Sequence, residues 1–360
     1  MRIPGFTRTK ALTPLLVLPL LAGPPAAPAA APEAVPAAAP AAAPKLFHGA
    51  LTSVDAVSAS DVWAVGATTT FTALVLHWNG LAWRQLPAPA GFTDLSGVAA
   101  VSASQAWAVG VKGGGTSAIA AWNGKSWSTA ATPGGVTKLT AVSADDVWGV
   151  GAGGSGKTLT VHWNGKSWAT VPSPSLPGTP SYLTGVAATS AASAWAVGTS
   201  PISGKTLILH WNGKAWHEEP VPRLPIGATV DGVATTSIAN AWAVGATRSP
   251  KTLILHWNGK AWRQVPSPTP AGGAGLSSVA AVSRSSAWAV GNTPAGKTLT
   301  LRWNGAAWQQ VPSPTLLPAT GDDLLSVSAV AARAAWAVGS YGSASDALIL
   351  FWNGTSWKQQ

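Results

Sequence analysis

The chain contains no cysteine. No disulfide can brace it, even in an oxidising compartment, so packing alone must hold it together. Charged residues make up only 9% of the 360 residues, against 47% hydrophobic. A chain so poor in charge must bury much apolar surface and show water mainly Ala, Gly, Ser, Thr and Pro. No apolar run reaches the roughly 20 residues that a membrane-spanning helix needs. Convincing helical periodicity is also missing, which leaves strands as the expected element. Tyrosine (2) and phenylalanine (5) are scarce, yet there are 21 Trp. That imbalance asks for a repeating structural cause.

The N-terminus reads as a secretory signal. Arg2, Arg8 and Lys10 supply positive charge, residues 11–22 form a short apolar run broken by Thr13, Pro14 and Pro19, and Ala27-Pro28-Ala29 is an A-x-A element. An uncleaved anchor is the alternative, and the shortness of the run argues against it. Residues 1–29 are therefore expected to be a signal peptide and 30–44, almost purely Ala and Pro, an extended linker. The folded domain is expected over 45–360, secreted or associated with a bacterial cell wall. The formal charge is +10; without the three basic signal residues, 19 basic and 12 acidic residues remain, or +7. That excess favours acidic partners such as anionic wall polymers.

Self-comparison explains the tryptophans. W-x-V-G occurs at Trp63, Trp107, Trp148, Trp195, Trp242, Trp288 and Trp336, and each is followed by W-N-G-x-x-W. Three tryptophans in seven repeats account for all 21. The repeats start near Leu51, Leu95, Val136, Leu183, Val230, Leu276 and Leu324, a spacing suited to four-stranded propeller blades. In the fifth repeat, strands are expected over 232–236, 241–245, 252–257 and 261–265. Asn258-Gly259 is expected to form a two-residue hairpin turn, and Pro266 to end the blade. The fold class is thus all-β: a seven-bladed propeller of four-stranded antiparallel blades, with the seven leading tryptophans structural. Blade one is expected to close against blade seven, helped by 45–50 pairing along an outer edge.

The x-W-A-V-G strand and W-N-G-x-x-W turn resemble the repeats of secreted, tryptophan-rich propeller proteins of bacteria. These are related in turn to Asp-box and photosystem-assembly-type propellers. The resemblance covers residues 51–357 and implies a propeller blade. It implies no activity, since the full S-x-D-x-G-x-T-W box is absent: Asn stands at the turn and no Ser precedes it.

Chemistry is sparse. Residues 151–158 and 291–298 match the phosphate-loop pattern, but each joins two strands with no helix behind it, so no nucleotide is expected. A sialidase-like site would need an arginine cluster and a Tyr–Glu pair. Only Tyr182 and Tyr341, and in the folded part only Glu218 and Glu219, are available. Asp145/Asp146 and Asp322/Asp323 are adjacent in sequence and should diverge rather than form a glycosidase pair. The positions Asp61, Gln105, Asp146, Ser193, Asn240, Ser286 and Ala334 are expected to bond their own turn backbone. Histidines 77, 162, 210 and 256 stand one per blade, too dispersed to share a metal.

Lys157, Lys205, Lys251 and Lys297 precede the third strand of their blades, and Arg223 and Arg248 lie in loops of the same face. That face also carries the blade-to-blade connections, which vary most among the repeats. Rigid scaffolds place recognition on such loops. These six cations mark the candidate ligand face of a non-enzymatic binding or scaffold propeller, without cofactor or metal and monomeric. Its partner would be an extracellular polymer, glycan or protein, not nucleic acid. A multivalent lectin with one site per blade is the alternative, and a glycosidase or lyase the remote third.

Overall fold

The computed structural model describes residues 46–316, 321–342 and 345–360. The signal and linker read into 1–44, and Lys45, lie outside the described residues. Among the described residues, 28 strands form seven four-stranded antiparallel sheets, each a contiguous piece of chain. The blades run over 50–85, 92–131, 135–170, 182–218, 229–264, 275–311 and 322–359. The fifth is representative, with an inner strand Thr229–Ser237, a second Asn240–Ala246, a third Thr252–Trp257 and an outer Trp262–Gln264. Second and third strands bury nearly every residue, as sheets covered on both faces must.

The core is divided among the seven joints between blades rather than gathered at one centre. Each joint has its own apolar cluster. At the joint of blades four and five, Trp195 meets Trp257 at 5.0 Å and Trp262 edge-to-face at 5.1 Å. The same trio recurs where Trp148, Trp242, Trp288 and Trp336 meet the tryptophan pair of the following blade. Edge-to-face placement sets the positive rim of one indole against the negative face of another. One tryptophan of every repeat therefore serves the joint with the next blade, and two serve the joint with the previous one. All seven leading tryptophans are buried.

The glycine of W-x-V-G has a separate cause. The inner strand carries a bulge directly opposite it in every blade, as between Val230 and Gly232. The bulge brings a carbonyl against the glycine Cα. A Cβ at Gly245 would land on the Thr229 carbonyl oxygen, and one at Gly66 on that of Ala50.

Side chains of the inner strands then tie blade to blade. Thr52 Oγ1 donates to the Leu95 carbonyl, and Thr184 Oγ1 to that of Val230 at 2.8 Å. Val98 N donates to Ser53 Oγ at 3.3 Å, Val327 N to Ser278 Oγ at 3.2 Å, and Val54 N to Ser326 Oγ at 3.2 Å. The last bond runs from blade one to blade seven, and Trp336 of blade seven packs on Trp78 and Trp83 of blade one. The ring is closed.

The entering segment pairs along the outer edge of blade seven, as expected, on the side of the third strand that the outer strand takes further along. Ala347 N donates to the Phe47 carbonyl at 2.9 Å and His48 pairs with Asp346, at the start of the third strand, which is where the chain enters the ring. One expectation needs correction: the Asn-Gly hairpins are not two-residue turns. Trp257 and Trp262 form the closing pair, leaving a four-residue loop. Only the glycine takes positive φ (+92° at Gly259), and Asn258 Oδ1 brackets the loop by accepting from the N–H groups of Lys260 and Ala261.

Replacing Gly245 by Ala is expected to remove about 3 kcal/mol or more, since backbone must move to admit the methyl group. At about 2.1 cal/mol/K of unfolding entropy per residue over a domain of this size, that lowers Tm by about 5 °C. Gly154→Ala, with nothing within 4 Å of the new Cβ, should leave Tm unchanged in the same thermal melts.

Candidate functional site

Strand direction defines two faces. The turns joining first to second strands and the Asn-Gly loops lie on one, here called the turn face. The loops joining second to third strands and the blade-to-blade connections lie on the other, the connection face.

Lys157, Lys205, Arg223, Arg248, Lys251 and Lys297 all lie exposed on the connection face. They are not alone there. Counting Lys112, that face holds seven cations against six carboxylates: Asp94, Glu218, Glu219, Asp322, Asp323 and Asp346. The face is close to neutral. The turn face holds ten of the eighteen described Lys and Arg but only three of the eleven described Asp and Glu. The excess positive charge therefore sits opposite the face that the loop variability favoured.

The connections are pinned by a device that sequence reasoning passed over. Thr158 Oγ1 donates to the Pro174 carbonyl at 2.9 Å and bonds the hydroxyls of Ser173 and Ser175. Thr252 and Thr298 do the same to 267–269 and 313–315. Its signal was available in the thrice-repeated V-P-S-P-[ST] after K-T-L. It also accounts for the two phosphate-loop matches. Their threonines clamp proline-rich connections, and a single 3-10 turn, Gly154–Gly156, takes the place of a helix.

Around blade four the connections leave an open cleft of about 730 Å³. Leu176, Pro177, Val221, Pro222, Leu224 and Ile226 form apolar walls, while Lys205, Glu218 and Glu219 supply charge. Ile226 is 85% exposed and Ile202, in the neighbouring loop, 74%. No aromatic ring lines the cleft. Burial raises the Glu219 carboxyl above its ordinary range, and charge on His217 works against that rise.

The axis of the ring holds a second cavity, of about 280 Å³, lined by inner strands. Among hydroxyls and small residues stand Asp55, Lys138 and Asp231. Asp55 accepts from Ala100 N at 2.9 Å, Lys138 Nζ donates to the Ser96 carbonyl at 2.9 Å, and Asp231 accepts from Thr229 Oγ1 at 3.0 Å. Burial pushes the Asp55 carboxyl up to about 6, a rise moderated by the Ala100 and Ser328 hydrogen bonds, and the Lys138 amine down to about 8. Asp231 is also raised by burial. Sequence reading missed all three, because nothing in a short strand announces that one residue faces a narrow shaft.

The position two residues before each leading tryptophan behaves differently from expectation. Asp61 and Asp146 reach His77 (2.8 Å) and His162 (2.7 Å) on the third strand instead of their own turn, and Asn240 reaches His256 at 2.9 Å. Antiparallel pairing sets each histidine beside the tryptophan that follows its partner, so side chain meets side chain across the ladder. Each imidazole packs on that tryptophan, at 4.1–4.7 Å. Burial holds His210 and His256 below the usual imidazole range, with nearby His217 and Arg284 adding to the effect. Among the described residues, no group of three or more His, Cys, Asp or Glu could hold a metal ion. None of the described helices is long and apolar enough to cross a membrane.

No family model matches the chain, and no curated protein matches it. Solved structures do. A YCF48 protein bound to D1 peptide is 14% identical with a TM-score of 0.57, over 85% of this chain and 94% of that one. The GH74 xyloglucanase of Xanthomonas campestris is 14% identical with a TM-score of 0.63, over 87% of this chain but 54% of its own. The Aleuria aurantia lectin in complex with α-methyl-L-fucoside is 11% identical with a TM-score of 0.53, over 73% and 93%. The chain shares with them a propeller fold.

Asp55 yields a pH signature. Its folded-state carboxyl titrates near 6, above the ordinary value of 3.8, so ionising it disfavours the folded state and stability is lost as pH rises from about 4 through 6. Asp55→Asn keeps an acceptor for Ala100 N and removes that loss. The variant is expected to exceed the wild type by about 3 kcal/mol at pH 7.5 and to match it below pH 4, in paired urea titrations.

Proposed function

We propose that this chain is an exported, non-enzymatic binding propeller that holds an extended segment of a partner protein on its connection face, in the cleft around blade four. Export rests on the basic, apolar and A-x-A pattern of residues 1–29. The observation that carries the binding role is the lining of the cleft: aliphatic and proline walls with Glu218, Glu219 and Lys205 among them. Such a lining suits a peptide offering an aliphatic side chain beside a basic residue, with Arg223 and Lys205 free to meet its carbonyl or acidic groups. Prolines hold the walls in a fixed shape, so little order must be imposed on binding. Arg248 packs beside Gly227 at the far side of the same connection. Lys157, Lys251 and Lys297 occupy equivalent loops in blades three, five and six and extend the surface around the rim.

Two observations support a role in binding rather than catalysis. Asp61, Asp146 and Asp346 are engaged by histidines, and Asp323 by Asn292. The cleft brings together only the sequence neighbours Glu218 and Glu219, and Asp55 and Asp231, which share the axial cavity, each already accept a hydrogen bond from the protein. A sugar-binding reading finds less support, since the leading tryptophans are buried in blade joints and the cleft offers no ring for a sugar to stack on. The YCF48 propeller, of the same fold, was solved with a peptide bound.

Peptides selected from a displayed random library on the wild-type propeller, with Ile226→Asp as counter-target, test this reading. They are expected to share an aliphatic-plus-basic motif and to lose at least about tenfold in affinity on Ile226→Asp, worth about 1.4 kcal/mol. Equal binding to both proteins would remove the cleft from consideration.

A further inference from the structure

The turn face carries a charge pattern that peptide binding in the cleft does not use. We propose that this face is a docking surface for a linear polyanion, one that follows the ring from blade to blade. The inference goes beyond the peptide reading and concerns the opposite side of the molecule.

Every blade contributes a cation. Lys125, Lys166, Lys214 and Lys260 occupy one position of the Asn-Gly loop in blades two to five. Blades six, seven and one lack a lysine there and supply others. Arg284 and Arg333 stand in the turns between first and second strands, and Arg84 and Lys358 are the second residues of outer strands, as Arg263 is in blade five. Arg302, half-buried, is the tenth, lying over the rings of Trp288 and Trp352. The three carboxylates of the face barely oppose them. Asp61 and Asp146 are engaged by His77 and His162, which leaves Asp145.

The loop lysines are also held in place. In each of blades two to five, the lysine's own backbone N–H donates to the bracketing Asn Oδ1, at 2.9–3.1 Å. The stems therefore start from fixed points while the ammonium groups remain exposed. A regular array of rigidly mounted like charges matches a chain of regularly repeated opposite charge, and neighbouring sites on one chain reinforce each other. A polymer is favoured over a flat anionic bilayer because Arg84, Arg263 and Lys358 sit on outer strands, where the positive band turns over the rim. A flexible chain can follow that edge. A plane cannot.

The probe is long-chain inorganic polyphosphate, titrated by calorimetry against the mature protein at low and high salt. Two quadruple variants of equal net charge are compared: Lys125→Ala with Lys166→Ala, Lys214→Ala and Lys260→Ala on the turn face, and Lys157→Ala with Lys205→Ala, Lys251→Ala and Lys297→Ala on the connection face. All eight side chains are exposed and the loop brackets use only the backbone N–H of the lysines, so both variants should melt with the wild type. The expected result is salt-sensitive binding, weakened at least about tenfold by the turn-face set and less than about twofold by the connection-face set. Equal weakening by the two sets would show plain net-charge attraction and overturn the proposal. So would absence of polyphosphate binding, or preference for vesicles of phosphatidylglycerol over the polymer. Peptide capture by the cleft is read separately through Ile226→Asp, so either idea can fail without the other.

Discussion

Indole packing between blades is the interaction on which everything else in this protein depends. No disulfide crosses the ring, and the described ion pairs all involve histidine. Hydrogen bonds hold each sheet together, but the sheets meet one another chiefly through apolar side chains. A tryptophan buries ~150–250 Å², and three meet at each joint described above. The arrangement has a cost. The indole N–H groups of the leading tryptophans, Trp107 aside, lie buried with no acceptor among the described protein atoms. The second tryptophan of a repeat, Trp122 aside, is treated differently, as with Trp257, whose N–H reaches the Ile238 carbonyl at 3.1 Å. Its indole thereby anchors the turn below it while its ring serves the joint. Area outweighs unmet hydrogen bonding in the first set, and geometry satisfies both needs in the second.

The architecture was legible because it is written seven times. Repetition turns a weak local pattern into a strong one: Trp242, Gly245 and Trp257 carry little weight alone and much as one of seven copies. What repeats are blind to is where a side chain points across the ladder. Asp146 and His162 are sixteen residues apart, and their pairing follows from register rather than from spacing. Asn258-Gly259 suggested a tight hairpin from dipeptide preference, but the tryptophans flanking the loop must pair, and that sets its length. The channel residues Asp55, Lys138 and Asp231 occur in one blade each, so comparison among repeats could only discard them as exceptions.

Charge shows the same limit. Four lysines before third strands and four in Asn-Gly loops look equivalent in sequence. They differ by what surrounds them. The connection-face set shares its face with carboxylates such as Glu218 and Asp323, whereas the turn-face set has Asp145 and little else uncommitted. A propeller thereby offers two surfaces of different chemistry on one rigid body. One is shaped, apolar and nearly neutral; the other is regular and positive.

The seam between blades seven and one sets the order of assembly. Every other joint unites neighbours in sequence, whereas Val54 and Ser326 are 272 residues apart. Contacts so distant along the chain form late, after the loops between them have condensed. Until then blade one and the last finished blade each present an apolar flank, a surface that invites other chains. Trp336, which covers Trp78 and Trp83 of blade one, belongs to the seventh blade, so that flank stays bare until the seventh blade is made. A chaperone holding it would have one long-lived target, the flank of the first blade.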